Sequence, residues 1–449
     1  MLETQNTHST EYWTEGFCPH SFSRQCQPLP THFEESTWTR WWETRGRIAD
    51  MQASDSRPTP AVTPKDKNCG SGKWLDAWHV NPSLSKDYDA IDGLRGMAIL
   101  MVVACHLIYV NPAAGPATQF LGGVFGAGTW GVTVFFTLSG FLIAHPFWKR
   151  KIQGAPQIVP PGYGWRRFWK IYPPLALSIV LLTAIHLLRS NDTSYLAIAG
   201  QWLVGWPLVH SVSGRLNPVM WSLIVEVHFY ILLPLLLLCL KRFSTKHSIL
   251  IVFVMLLVIP ACFRWWNFSH GVEFRLHPFI EVHFPALLDA FAFGVLLAGL
   301  ENLQVIKKSW ARLGDIGFVL LFVSLVIHSW LTLHPIVNQK IQLESLSWGV
   351  KLASALMLCY VADPDHPRSL MFSRPWLRWC GLISYEWYLF HQPIFVWARE
   401  SFGPAQGNLA KFGLIVGGSF IVGLLIAAMV YRYFSLPILR YGRSRRKSG

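Results

Sequence analysis

The chain has 449 residues, of which 52% are hydrophobic and only 14% charged, against about 25% charged in an average soluble protein. Its apolar runs are continuous and about 20 residues long, which excludes both a soluble globular protein and a membrane barrel of alternating ~10-residue strands. The formal net charge of +14 does not point to nucleic acid, because most basic residues flank apolar runs, where they set membrane topology. The expected fold class is all-α, a polytopic membrane protein of about ten transmembrane helices with both termini cytoplasmic.

Residues 1–88 read as a polar, disordered cytoplasmic extension rich in Thr, Ser, Pro and charge. Within it, Trp38–Ile48 and Trp74–Trp78 have the pattern of short amphipathic helices for a membrane surface. The first forty residues lack an apolar core, so the first membrane helix is expected to act as the uncleaved insertion signal. Eight cysteines are scattered without CxxC spacing, and no metal site is expected.

A membrane domain is expected over 89–435, followed by a basic cytoplasmic tail, 436–449. Its apolar spans fall at 94–111, 125–147, 171–189, 219–240, 248–266, 281–300, 314–333, 346–362, 382–399 and 412–434. A weaker apolar piece, 195–209, is broken by Gly, Trp and Pro and reads as re-entrant or interfacial. With the N-terminus in the cytoplasm, the five inner regions after the first span carry 21 Lys and Arg and the five outer loops carry seven, the bias expected of cytoplasmic loops. No internal repeat suggests a transporter of inverted halves.

Five stretches place polar groups where a spanning helix normally has none. In AIDGLRGMAILMVVACHLIYV, 90–110, Arg95 is near the start and His106 eleven residues later, about 18 Å into the span. Ionisable groups at that depth are costly and mark functional sites, although a lone His is more often a hydrogen-bonded packing residue. In GTWGVTVFFTLSGFLIAHPFW, 128–148, Ser139 is either a small residue for helix approach or a site-lining group. In YGWRRFWKIYPP, 163–174, Arg166, Arg167 and Lys170 cluster with aromatics, as interfacial anchors or as a phosphate site. In NPVMWSLIVEVHFYILLPLLL, 217–237, Ser222 and Glu226 are four apart and share a helix face, and the depth of Glu226 permits contact with His106. In GLISYEWYLFHQPIFVW, 381–397, His391 competes with His106 as the catalytic imidazole, or is structural.

These stretches, in this order and spacing, resemble the acyltransferase-3 family of integral membrane acyltransferases. The DGLRG context with ten residues between Arg95 and His106, the GVTVFFTLSGFLI segment, WSLIVEVHFY and ISYEWYLFH carry the resemblance, which covers roughly 88–434. One departure stands out. The family tends to show Arg-x-x-Arg before the third helix, whereas this chain has Arg167 and Lys170, so the second guanidinium fork is absent.

The resemblance implies a multi-pass enzyme of the plasma membrane. It would move an acyl group, acetyl in the simplest case, from cytoplasmic acyl-CoA (acetyl-CoA) to a hydroxyl of a glycan, lipid-linked or other small acceptor. No bound cofactor, metal or nucleic acid is implied. His106 is expected to be the general base, with Glu226 orienting it or holding the acceptor and Arg95 at the donor entrance. Arg166, Arg167 and Lys170 are expected to gather the CoA phosphates, with Ser139, Ser222 and His391 lining the site. Direct transfer and an acyl-enzyme on His106 or Ser139 both remain open. The rival class is a proton-coupled transporter or exporter of a cell-envelope precursor, which intramembrane His and Glu also fit.

Overall fold

Long runs of Leu, Ile, Val, Phe and Ala form helices because a bilayer leaves no solvent partner for backbone groups. The computed structural model describes residues 73–79, 89–108, 124–190, 192–204, 216–270, 284–333, 339–403 and 408–444. The expected surface helix at Trp38–Ile48 lies outside them. The helices, in chain order, are α1 (Asp89–Ile108), α2 (Gly131–Ile152), α3 (Tyr163–Ser190), α4 (Ser194–Val204), α5 (Trp221–Cys239), α6 (Thr245–Ser269) and α7 (Asp289–Asn302). They continue with α8 (Ala311–Leu333), α9 (Gln339–Leu358), α10 (Pro367–Phe372), α11 (Pro375–Leu382), α12 (Ser384–Phe402), α13 (Leu409–Val430) and α14 (Leu436–Ser444). No strand occurs among the described residues.

Among the described residues, six helices are long and apolar enough to cross a membrane: Val124–Ile152, Tyr163–Ser190, Pro218–Cys239, Thr245–Asn267, Lys308–Leu331 and Ala410–Arg443. The four other expected spans fall on α1, α7, α9 and α12. Of these, α7 has 14 residues, α1 carries Asp89, Asp92 and Arg95, α12 carries Glu386, Arg399 and Glu400, and α9 opens on a polar sequence. The weak piece at 195–209 is helical over α4. The outer surface of the bundle suits lipid, since Phe322, Val326 and Trp330 of α8 are each more than half exposed.

Small residues bring the central helices together, as expected where packing rather than water drives helix association. Gly140 of α2 lies against the Phe291 backbone of α7, and Gly294 of α7 lies against Thr137 of α2, so a methyl at either glycine would strike a carbonyl oxygen. Thr137 Oγ1 donates to Ala290 O at 2.9 Å, and Trp148 Nε1 donates to Val295 O at 3.1 Å. The same device joins α1 to α11: Gly96 faces the Leu377 carbonyl, and Gly381 faces that of Asp92.

One sequence expectation changes here. The helical turn Lys73–Asp76 and the residues after it pack on protein. Tyr431 Oη donates to Trp78 O at 2.8 Å, and Arg440 donates to His79 O at 3.1 Å, while Trp78 meets Trp379 edge to face at 5.5 Å. His79 is buried there, and desolvation lowers its pKa against the opposing pull of Asp92. The start of the expected basic tail is the helix α14, packed on α3 through Trp165 Nε1, which donates to Gly442 O at 3.0 Å.

Candidate active site

The approach of α1, α2, α3, α5 and α12 leaves a cavity, with about 770 Å³ of empty space counting its open mouth. Six of the nine residues singled out from the sequence line it: Arg95, Ser139, Arg167, Lys170, Ser222 and Glu226. The apolar wall is a stripe of α2, Val132, Phe135, Phe136, Ser139 and Leu142. These positions recur at three and four residues, one helix face about 15 Å long.

Glu226 is held by two hydroxyls. Ser139 Oγ donates to Glu226 Oε1 at 2.8 Å, and Tyr230 Oη, one turn along α5, donates to the same oxygen at 2.6 Å. Glu226 Oε2 makes no hydrogen bond among the described residues. The expected face shared by Ser222 and Glu226 exists, and both line the cavity. Ser222 Oγ and Tyr388 Oη are 2.7 Å apart, and Tyr388 Oη also donates to Val219 O at 2.9 Å.

The cations come from two helices. Arg95 donates to Ser384 Oγ at 3.0 Å, with Asp92 3.8 Å away. The segment carrying Arg166, Arg167 and Lys170, expected to precede the third span, is the first two turns of α3, which continues through Pro173 and Pro174. That helix fixes where the basic side chains point. Arg167 is clasped between two tyrosine rings, 5.1 Å from the centre of Tyr230 and 5.7 Å from that of Tyr163, a cation–π arrangement. Arg166, about 100° round the helix, donates instead to Pro161 O at 2.6 Å on the exposed side and does not line the cavity. Lys170 faces the cavity beside Arg167.

His106 and His391 are not among the cavity-lining residues. They face each other across α1 and α12, ring centres 4.9 Å apart and nearly perpendicular. His391 is also 5.7 Å from the ring of Tyr388, which does line the cavity. The pair therefore sits just behind the Tyr388 wall. The depth argument that brought Glu226 toward His106 is not realised as a contact: Glu226 is bonded to Ser139 and Tyr230, and His106 to Val102 O at 2.8 Å.

Sequence reasoning missed Tyr230, Tyr388 and Ser384. Tyr230 had a legible signal, a hydroxyl four residues from a buried carboxylate on one helix. Tyr388 and Ser384 had none, because their partners lie on α5 and α1. No group of three or more His, Cys, Asp or Glu side chains with metal-binding geometry occurs among the described residues.

The arrangement gathers three cations, a carboxylate with one oxygen unoccupied by protein, and two imidazoles around one cavity in a helical bundle. Known proteins match over the same region. Residues 88–428 match the family model described as an acyltransferase domain. A peptidoglycan O-acetyltransferase, OatA, of Listeria monocytogenes is 25% identical over 376 residues, 79% of this chain and 56% of the relative. The O-acetyltransferase OatA of Staphylococcus aureus is 24% identical over 383 residues, 78% of this chain and 57% of the relative. The chain thus spans a little over half the length of these curated relatives. No solved structure matches. The six apolar helices make this an integral, multi-pass membrane protein, and the match across most of its length places it plainly: the chain belongs to the acyltransferase-3 family of membrane acyltransferases.

Proposed function

We propose that this protein is a membrane-bound O-acyltransferase that moves an acyl group, acetyl in the simplest case, from acyl-CoA to a hydroxyl of a glycan acceptor. The observation that carries this reading is the cavity that collects Arg95, Arg167, Lys170, Ser139, Ser222 and Glu226 inside the family domain. The relatives named O-acetyltransferases support the reaction class, and the printed peptidoglycan acceptor supports a hydroxyl-bearing glycan. The plasma membrane is the proposed location. In this reading α1, α7, α9 and α12 also cross, giving about ten spans with both termini cytoplasmic, as the loop charges favour.

Arg95, Arg167 and Lys170 receive the phosphates of CoA, which guanidinium forks and an ammonium suit in different ways. Arg166, bonded to the Pro161 carbonyl, stands outside this set. The thioester reaches the Tyr388 end of the cavity. There the acceptor oxygen bonds to the acyl carbon, the C–S bond breaks, and the hydroxyl proton passes through His106 to the departing sulfur. Glu226 Oε2 accepts from an acceptor hydroxyl and holds it for attack.

The test is acyl transfer by the purified protein with labelled acetyl-CoA and a soluble glycan fragment. His106→Ala is expected to lower kcat at least about 100-fold, the lower range for general base catalysis, with folded protein recovered at wild-type yield. Undiminished transfer by that variant would sink the role of His106, and absence of any transfer by the wild type the whole reading.

A further inference from the structure

His391 carries an atom that nothing else in the site uses. Its ring is buried at 2% exposure. Nδ1 lies 2.8 Å from Tyr388 O and 3.1 Å from Trp387 O, and Nε2 is buried with no hydrogen-bond partner among the described residues. A carbonyl only accepts, so Nδ1 bears the hydrogen, and Nε2 of the neutral ring is a bare lone pair. His106 has the same orientation logic: Nδ1 donates to Val102 O at 2.8 Å, so its Nε2 is also a lone pair in the neutral ring. Two acceptors cannot bond each other. At rest His391 Nε2 is left without a partner among the described residues, which is costly for a buried acceptor.

Protonation of His106 at Nε2 changes this. The new N–H can then turn toward the lone pair of the ring packed against it, whose centre is 4.9 Å away. We propose that His391 is the positioning partner of His106: its Nε2 accepts a hydrogen bond from His106 Nε2–H after His106 takes the acceptor's proton. His391 thereby stabilises the imidazolium formed during transfer. The proton is not consumed; it leaves His106 for the thiolate, and the pair returns to two lone pairs. The inference rests on His106 being the base.

The surroundings leave few competitors. On its own helix the titratable neighbour facing His391 is Tyr388, whose hydroxyl is already engaged with Val219 O and Ser222. From α1 it is His106. From α13 the neighbour is Gly423, against the His391 backbone. From the turn before α5, Asn217 Nδ2 is occupied by Leu389 O at 2.8 Å.

Three variants test this in the acyl-transfer assay, with folded protein quantified by size-exclusion chromatography. His391→Gln keeps an acceptor of similar reach; His391→Leu and His391→Met fill the volume without an oxygen or nitrogen acceptor. Leu and Met are expected to lower kcat tenfold to a hundredfold, the range of a hydrogen bond to a charged group, with donor KM unchanged and the acidic limb of the kcat pH profile, where the base protonates, displaced to lower pH. Gln is expected to recover most of kcat. Equal kcat for Gln and whichever apolar variant folds, or a kcat at the wild-type level in that apolar variant, overturns the proposal. If His106→Ala retains transfer, the underlying reading fails as well, so the two failures are told apart.

Discussion

Asp289 and Glu226 are both carboxylates inside the helical bundle, and their surroundings are built on opposite plans. Asp289 of α7 is wholly buried, and its Oδ2 takes Arg264 of α6 at 2.6 Å and Lys351 of α9 at 2.8 Å. Arg264 also donates to Ala286 O at 2.9 Å. Around Glu226 the cations Arg95, Arg167 and Lys170 face the cavity, and the carboxylate is held by the hydroxyls of Ser139 and Tyr230. In the first cluster the charges answer one another and tie three helices. In the second, tyrosine rings hold Arg167 and hydroxyls hold Glu226, while Arg95 has a looser ion pair with Asp92 at 3.8 Å; in the proposed reaction these groups stay available to an anionic ligand and to an incoming hydroxyl. Buried charge alone is thus not a mark of function; charge held next to empty space, with neutral supports, is.

Substitutions sharpen this contrast. The largest effect is expected from Asp289→Ala, which leaves the buried Lys351 and the half-buried Arg264 without their carboxylate and costs about 3–5 kcal/mol. Thermal unfolding in detergent should show a large loss of stability, with activity falling only as folded protein is lost. Glu226→Gln is expected to leave the unfolding temperature within about 2 °C of wild type, because both hydroxyl donors keep an acceptor oxygen, yet to lower kcat about 100-fold. A stable Asp289→Ala or an unstable Glu226→Gln would erase the distinction. Arg167→Ala should raise donor KM about tenfold through loss of charge-assisted hydrogen bonds to phosphate. Arg166→Ala, which removes a half-buried side chain that does not line the cavity, should change donor KM by less than about threefold. Equal effects at 166 and 167 would mean that the face of α3 does not select between them.

The stretches that flank the family domain behave differently from its core. Trp78, expected on a membrane surface, is held by Tyr431, Trp379 and Arg432. Of that contact, 73–79 and 431–440 lie outside the matched region 88–428, and Trp379 lies inside it. Amphipathicity read from a short segment reports an apolar face and not what covers it, and here protein covers it.

What the sequence by itself determined is the helical class, the membrane character and the charged part of the cavity's lining. Those properties depend on hydrophobic run length, on loop charge, and on polar residues whose presence in apolar runs needs a reason. The i,i+4 spacing of Ser222 and Glu226 was enough to put them on one face. Only the tertiary structure decided that Arg167 faces the cavity while Arg166 turns to Pro161, since adjacent residues on a helix point about 100° apart and packing chooses between them. It also decided that Glu226 meets Ser139 and Tyr230, that His106 meets His391, and that Arg264, Asp289 and Lys351 converge from three helices. Each of these pairings except that of Glu226 with Tyr230 spans different helices. The spacing along one helix constrains its own face, whereas the angle and rotation of two helices against each other are set by contacts distributed along both, down to single glycines such as Gly96 and Gly381.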